Sequence, residues 1–126
     1  MRGLHLTADL HGCAAPAPLL SDAAGLRALA LRAVGAAGLT PVGELFHRFG
    51  APGGVTGMVL LAESHLALHT WPELAAVTLD VYVCNRDADN GAAAEALLAA
   101  LEAAFAPAHS ERRRLVRGDV TALRPS

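Results

Sequence analysis

Leu61-Ala62-Glu63-Ser64-His65-Leu66-Ala67-Leu68-His69-Thr70-Trp71-Pro72-Glu73 crosses the middle of a chain otherwise rich in alanine and leucine. It gathers two acids, two imidazoles, a serine and an indole, a density that packing alone does not explain. Leu66, Ala67 and Leu68, closed off by Pro72, favour extended chain, so the segment reads as part of a sheet. On a strand His65 and His69 share a face, but a metal ion needs a third ligand and none stands at useful spacing, so no metal is expected here.

The flanks continue the extended pattern. Val77, Leu79, Val81 and Val83 alternate with Thr78, Asp80, Tyr82 and Cys84, the period of a half-buried strand, which puts Cys84 on the more polar face. Thr40 to Phe49 and Thr56 to Glu63 read as two strands joined by Gly50-Ala51-Pro52-Gly53-Gly54, where glycine permits positive φ and proline cannot donate to a ladder. Near the start, Leu4, Leu6, Ala8 and Leu10 alternate with His5, Thr7, Asp9 and His11 until Gly12. Arg112 to Arg117 adds a last strand.

Two segments carry helical periodicity instead. Ser21 or Asp22 caps a helix over 23–36 that aligns Leu26, Leu29, Ala30, Ala33, Val34 and Ala37, with Gly38 at its C-terminal end. A second begins near Asp89-Asn90 and runs through Leu97, Leu98, Leu101 and Phe105 to a stop before Pro107. Strands dominate and the helices lie in different halves. The expected fold is therefore α+β, a two-layer α/β sandwich with an antiparallel sheet and its helices packed on one face. At 126 residues the chain fits a single domain over 1–126, with no linker or repeat.

Composition narrows the function classes. The apolar fraction is 53%, but Arg27 and Arg32 interrupt the most apolar N-terminal stretch, so no run of membrane-spanning length exists. Met1-Arg2-Gly3-Leu4-His5 lacks the basic-then-apolar pattern of a secretory leader, and Cys13 and Cys84 are too few for a disulfide framework. A cytoplasmic protein with free thiols is expected. The formal charge is −2, and the cluster Arg112-Arg113-Arg114 with Arg117 has no interleaved aromatics for stacking bases, so nucleic acid is not expected as a partner.

The central run resembles the self-cleavage segment of the small bacterial S-adenosylmethionine decarboxylases, Glu-Ser-His-x-x-x-His-Thr-Trp-Pro-Glu. The likeness continues in family order through His5-Leu6-x-x-Asp9-Leu10-x-Gly12-Cys13, Leu39-Thr40, His47-x-Phe49, Gly54-Val55-Thr56-Gly57 and Asp80-Val81-Tyr82-Val83-Cys84. It implies the same α/β sandwich and a precursor that cuts itself between Glu63 and Ser64 into a β chain, 1–63, and an α chain, 64–126. Attack of Ser64 on the Glu63 carbonyl would give an ester, and elimination and hydrolysis would leave a pyruvoyl group generated from Ser64. Such a carbonyl, forming a Schiff base with an amino acid, is an electron sink for decarboxylation.

Residue by residue, the resemblance implies that His69 serves the proton chemistry of cleavage and that Thr56, where the family usually has serine, assists it. It makes Cys84 the acid that protonates Cα, a step suited to a thiol whose pKa its surroundings can tune. It assigns Glu73 to the ribose hydroxyls, as a carboxylate can accept two hydrogen bonds, and Phe49 and Trp71 to the adenine. It also implies a homo-oligomer of processed protomers acting on S-adenosylmethionine, which in this family supplies the aminopropyl donor for spermidine.

Two departures bear on this. Asn85 follows Cys84 where the family usually has glycine, and Leu74-Ala75-Ala76 stands where it commonly carries Tyr-Gly-Tyr. The second leaves open a pyruvoyl-dependent ornithine or arginine decarboxylase; a non-enzymatic, unprocessed paralogue that regulates a partner subunit is a further alternative. Taken singly, Cys84 reads as a small buried hydrophobe, Phe49 and Trp71 as core, Glu73 as a surface charge, and His5, His11 and Cys13 as ordinary residues at a strand end. Only the ordered combination reverses those readings.

Overall fold

In the computed structural model, which describes residues 2–50, 53–85 and 89–118, the alternating segments form one six-stranded sheet. Its strands are β1 (Gly3–His11), β2 (Pro41–Arg48), β3 (Val55–Leu61), β4 (Ser64–Trp71), β5 (Ala76–Cys84) and β6 (His109–Arg117). Their order is β2-β3-β4-β5-β1-β6, and each neighbouring pair is antiparallel. Strands β2 to β5 form a meander, and β1 closes between β5 and β6.

Strand alternation sorts the side chains. Leu4, Leu6, Ala8 and Leu10 of β1, Val59 of β3, Leu66 and Leu68 of β4, and Val77 to Val83 in steps of two on β5 are buried on one face. Against them lie α1 (Ala23–Ala36), which buries Leu26, Ala30, Ala33 and Val34, and α2 (Gly91–Phe105), which buries Ala94, Leu97, Leu98, Leu101 and Phe105. Each fully buried Leu, Val or Phe side chain contributes about 1.5–3 kcal/mol relative to exposure, so this single cluster is the main source of stability. Thr70 is buried there as well. It is satisfied by accepting the Val55 N–H at 2.9 Å and donating to the Leu20 carbonyl at 2.6 Å.

The expected two-layer α/β sandwich is thus the fold. The Asp22 carboxylate caps α1 by accepting the Gly25 N–H at 2.9 Å. At the other end of α1, Gly38 N–H and Leu39 N–H bond the Gly35 and Val34 carbonyls at 3.0 and 3.1 Å, a Schellman ending. Strand boundaries differ from the sequence reading in places. The strand expected over Thr56 to Glu63 stops at Leu61, which pairs with Ser64 and leaves Ala62 and Glu63 as a two-residue turn. The last strand begins at His109 rather than Arg112, while α2 starts at Gly91 with Asn90 at its N-cap, where it is expected. β2 and β3 pair as the hairpin pattern requires, while residues 51–52 of their turn lie outside the described residues.

The basic cluster falls on the edge strand β6. Arg112, Arg113 and Arg114 pair there with Glu102, Asp9 and Glu95. Charged side chains on an edge discourage pairing with a further strand. Among the described residues, no helix is long and apolar enough to cross a membrane.

Candidate active site

The face of the sheet away from the helices is open, and the β3–β4 hairpin turn sets the Glu63-Ser64 pair at one end of these two strands. Glu63 sits in the left-handed region at φ 54, unusual for a residue with a side chain. Immediately after it, Ser64 Oγ accepts the Cys84 N–H at 3.2 Å. Cys84 is itself buried at the end of β5, and its carbonyl accepts the Asn90 amide N–H at 2.9 Å. Asn85 takes the Asn90 backbone N–H on its side-chain oxygen at 2.8 Å, so this departure from glycine closes the entry to α2.

At the other end of β4 a pocket of about 230 Å³ is lined by Phe49, Thr56, His69, Trp71 and Glu73, with Gly54, Val55 and Thr70. Five sequence candidates from three separate stretches therefore meet in one cavity. Thr56 and His69 are cross-strand partners, with Oγ1 and Nδ1 3.1 Å apart. Two glycines permit this arrangement. A Cβ at Gly54 would lie 2.3 Å from the Thr70 carbonyl oxygen, and one at Gly57 would lie 2.1 Å from the Phe46 ring. The Gly-Val-Thr-Gly run thus holds Thr56 between two positions where only hydrogen fits.

The candidates fall into two clusters, not one. Ser64 and His69 are five residues apart on the same strand, which is about 16 Å at 3.3 Å per residue. Within one chain, Ser64 and Cys84 meet each other, as do Thr56, His69, Trp71, Glu73 and Phe49, but the two groups do not meet. Within one copy Ser64 and His69 therefore stand beyond hydrogen-bond reach of each other, at opposite ends of β4.

A third cluster was not legible from spacing. His5, His65 and Asp80 converge on adjacent strands, with His5 Nε2 and His65 Nε2 at 2.8 and 3.2 Å from the same Asp80 Oδ2. Tyr82, opposite both histidines in the ladders, stacks on the His65 ring at 5.8 Å and meets the His5 ring edge-on at 5.7 Å. Sequence spacing pairs His65 with His69 and His5 with His11 and Cys13. The signal that finds the true grouping is shared strand parity combined with register.

The Leu74-Ala75-Ala76 segment closes the turn after the pocket. Ala75 lies in the left-handed region at φ 48, and its carbonyl accepts the Cys13 N–H at 2.8 Å. Burial raises the Cys13 thiol pKa above its ordinary value. Leu74 is exposed and is not part of the pocket wall.

A two-layer sandwich with a Glu-Ser hairpin turn at one end of β4 and a Thr-His pocket at the other defines a narrow class of protein. The sequence model of the family described as S-adenosylmethionine decarboxylase matches residues 4–118. A "S-adenosylmethionine decarboxylase proenzyme" of Thermoplasma volcanium is 37% identical over 118 residues, 94% of this chain and 85% of that protein. One of Methanococcus vannielii is 43% identical over 83 residues, 66% of each chain, so that match spans just under two thirds of that relative. The crystal structure of the adenosylmethionine decarboxylase from Aquifex aeolicus VF5 superposes with a TM-score of 0.79 at 33% identity, covering 90% of this chain and 88% of that one. The chain belongs to the S-adenosylmethionine decarboxylase family.

Proposed function

We propose that residues 1–126 form one domain that cuts itself between Glu63 and Ser64 and then decarboxylates S-adenosylmethionine, yielding the aminopropyl donor for spermidine. The products of cleavage are a β chain, 1–63, and an α chain, 64–126. The observation that carries this reading is the Glu63-Ser64 junction at a hairpin turn, with Glu63 in the left-handed region and Ser64 against Cys84. A residue held there costs on the order of 1–3 kcal/mol, which scission releases.

Ser64 Oγ attacks the Glu63 carbonyl, the peptide nitrogen leaves as a free amine, and an ester joins the two halves. Loss of the Cα proton expels the Glu63 carboxylate, and hydrolysis of the remaining dehydroalanine releases ammonia. His69 suits the proton transfer: with Nδ1–H donated to Thr56 Oγ1, its Nε2 keeps a lone pair. A pyruvoyl group at position 64 supplies a conjugated carbonyl that takes the substrate amine and accepts the electron pair left by carbon dioxide. Cys84, adjoining position 64, holds the proton returned to the substrate Cα. Glu73 accepts hydrogen bonds from a ribose diol, while Trp71 and Phe49 offer aromatic faces to adenine within the same pocket.

The separation of the two clusters supports a homo-oligomer. Leu45, Met58, Leu60 and Leu115 are large apolar residues left exposed on strands of the open face, which suits burial against a second copy. Two-fold packing through this face would set Ser64 and Cys84 of one copy against the Thr56-His69 pocket of the other, making two composite sites. Free Cys13 and Cys84 fit a reducing cytoplasm, and the paired arginines of β6 leave little basic surface for nucleic acid.

Intact mass under denaturing conditions, followed by carbon dioxide release from carboxyl-labelled S-adenosylmethionine, tests the reading. Fragment masses that sum to about 1 Da above the precursor mark serinolysis with loss of ammonia, whereas plain hydrolysis adds about 18 Da. An uncut, inactive chain refutes the reading. A cut chain that turns over ornithine or arginine and not S-adenosylmethionine refutes the substrate alone.

A further inference from the structure

The His5, His65 and Asp80 cluster takes no part in the chemistry above. One ring nitrogen of His5, one of His65 and a carboxylate oxygen of Asp80 all lie within 4.8 Å of one another, the one such group of three among the described residues. The three side chains are 16%, 30% and 28% exposed, neither sealed nor loose. Both rings rest against Tyr82, so the donor atoms are aimed before any ligand arrives.

We propose that His5 Nε2, His65 Nε2 and Asp80 Oδ2 form a binding site for a divalent transition-metal ion of the zinc class. Two imidazoles with one carboxylate favour such ions over Mg²⁺ or Ca²⁺, which take oxygen ligands. Tetrahedral bonds of 2.0–2.1 Å place neighbouring ligand atoms about 3.3 Å apart, so the observed 2.8 and 3.2 Å need to widen by only a few tenths of an ångström. Three protein ligands leave a fourth position for water or a small anion on the open sheet face.

Arg117 opposes the ion. Its Nη1 donates to His5 Nδ1 at 3.2 Å, and because a guanidinium only donates, this bond keeps the ring proton on Nε2, where the metal must bind. Binding moves that proton to Nδ1, facing a donor. An acceptor at position 117 would remove the conflict and orient the ring, as acceptors beside metal-bound histidines do. The site also has a consequence that rests on the cleavage reading: His5 lies before the Glu63–Ser64 bond and His65 and Asp80 after it. A bound ion would join the two fragments.

The test is a Zn²⁺ titration of tag-free full-length protein by calorimetry, with Co²⁺ absorption reporting coordination. It is run on the Ser64→Ala chain, which cannot self-cleave, so failure of the metal site and failure of processing are read separately. The expected result is one equivalent bound, affinity lowered about 100-fold or more in His5→Ala and Asp80→Asn, and retained in His109→Gln, which disrupts the other close histidine pair, His11 and His109. Arg117→Gln is expected to tighten binding about 10-fold, a gain that misfolding cannot produce. Absence of stoichiometric binding, or binding indifferent to His5→Ala, Asp80→Asn and Arg117→Gln, overturns the proposal.

Discussion

Thr56 Oγ1 and His69 Nδ1 stand 3.1 Å apart as direct partners in the β3–β4 ladder. A cross-strand pair keeps its spacing as long as the ladder holds, so in the proposed mechanism the hydroxyl would orient the imidazole without entering the reaction. Thr56→Ser keeps the oxygen and frees χ1 from the extra methyl. Self-cleavage at least as fast as in the parent chain is expected from it. Thr56→Val preserves shape and removes the oxygen, and misplacement of the ring should slow cleavage by up to about 100-fold. Time courses of fragment appearance on denaturing mass spectra distinguish the two; equal rates in both variants would remove Thr56 from the mechanism.

Cys84 adjoins Ser64 through its backbone N–H, yet its thiol is assigned to the later proton return and not to cleavage. Cys84→Ala should therefore still yield two fragments while kcat for decarboxylation falls by about 10²–10⁴-fold, the range for loss of one general acid. If cleavage fails and turnover per cut chain is unchanged, the roles are reversed.

Ala75 occupies a left-handed position at φ 48 where the family commonly places glycine. An L-residue with a Cβ costs roughly 1–2 kcal/mol there, whereas glycine loses about 0.5–1 kcal/mol through a freer unfolded chain. Ala75→Gly should consequently raise stability by about 0.5–1 kcal/mol, read as a higher midpoint in urea unfolding at unchanged slope.

Glu102 joins α2 to the edge strand. A hydrogen bond from Ser110 holds its carboxyl below the usual carboxylate range, and Arg112 adds to the effect against the opposing push of desolvation. Because the folded-state pKa lies below the unfolded one, the stabilisation is complete above the unfolded value and disappears as pH falls through the folded value. Glu102→Gln should lower the Tm at neutral pH, and the gap from the parent chain should close below about pH 4. A gap that stays constant down to pH 3 would point to packing instead of charge.

The fold was legible because alternation at Leu4 to Leu10 and Val77 to Val83 has only one reading, and the helical spacing of Leu97, Leu98 and Leu101 has only one other. Phe49, Thr56, His69, Trp71 and Glu73 were legible as a group from their resemblance to a motif, and the pocket gathers them. The turn at Ala62-Glu63 was not, since neither residue carries turn chemistry and the left-handed φ of Glu63 is imposed by the hairpin. His5 and Asp80 were missed for a different reason: 75 residues separate them, and only the β1–β5 register brings them together.

The distance between Ser64 and His69 yields the most decisive prediction. A Ser64→Ala chain has no nucleophile and a His69→Ala chain no base, so each alone should neither cut nor decarboxylate. If sites form between two copies, a mixed dimer sets the intact Ser64-Cys84 end of the His69→Ala chain against the intact Thr56-His69 pocket of the Ser64→Ala chain. Random pairing makes half the dimers mixed, and each restores one of its two sites, so co-expression should recover about a quarter of the parent activity. The cut should appear only in the His69→Ala copy, which isotope labelling of one chain identifies by mass. Co-expression that restores nothing would place the working site inside one chain, which the 16 Å span of β4, about five residues at 3.3 Å each, could then satisfy only by a rearrangement of the sheet.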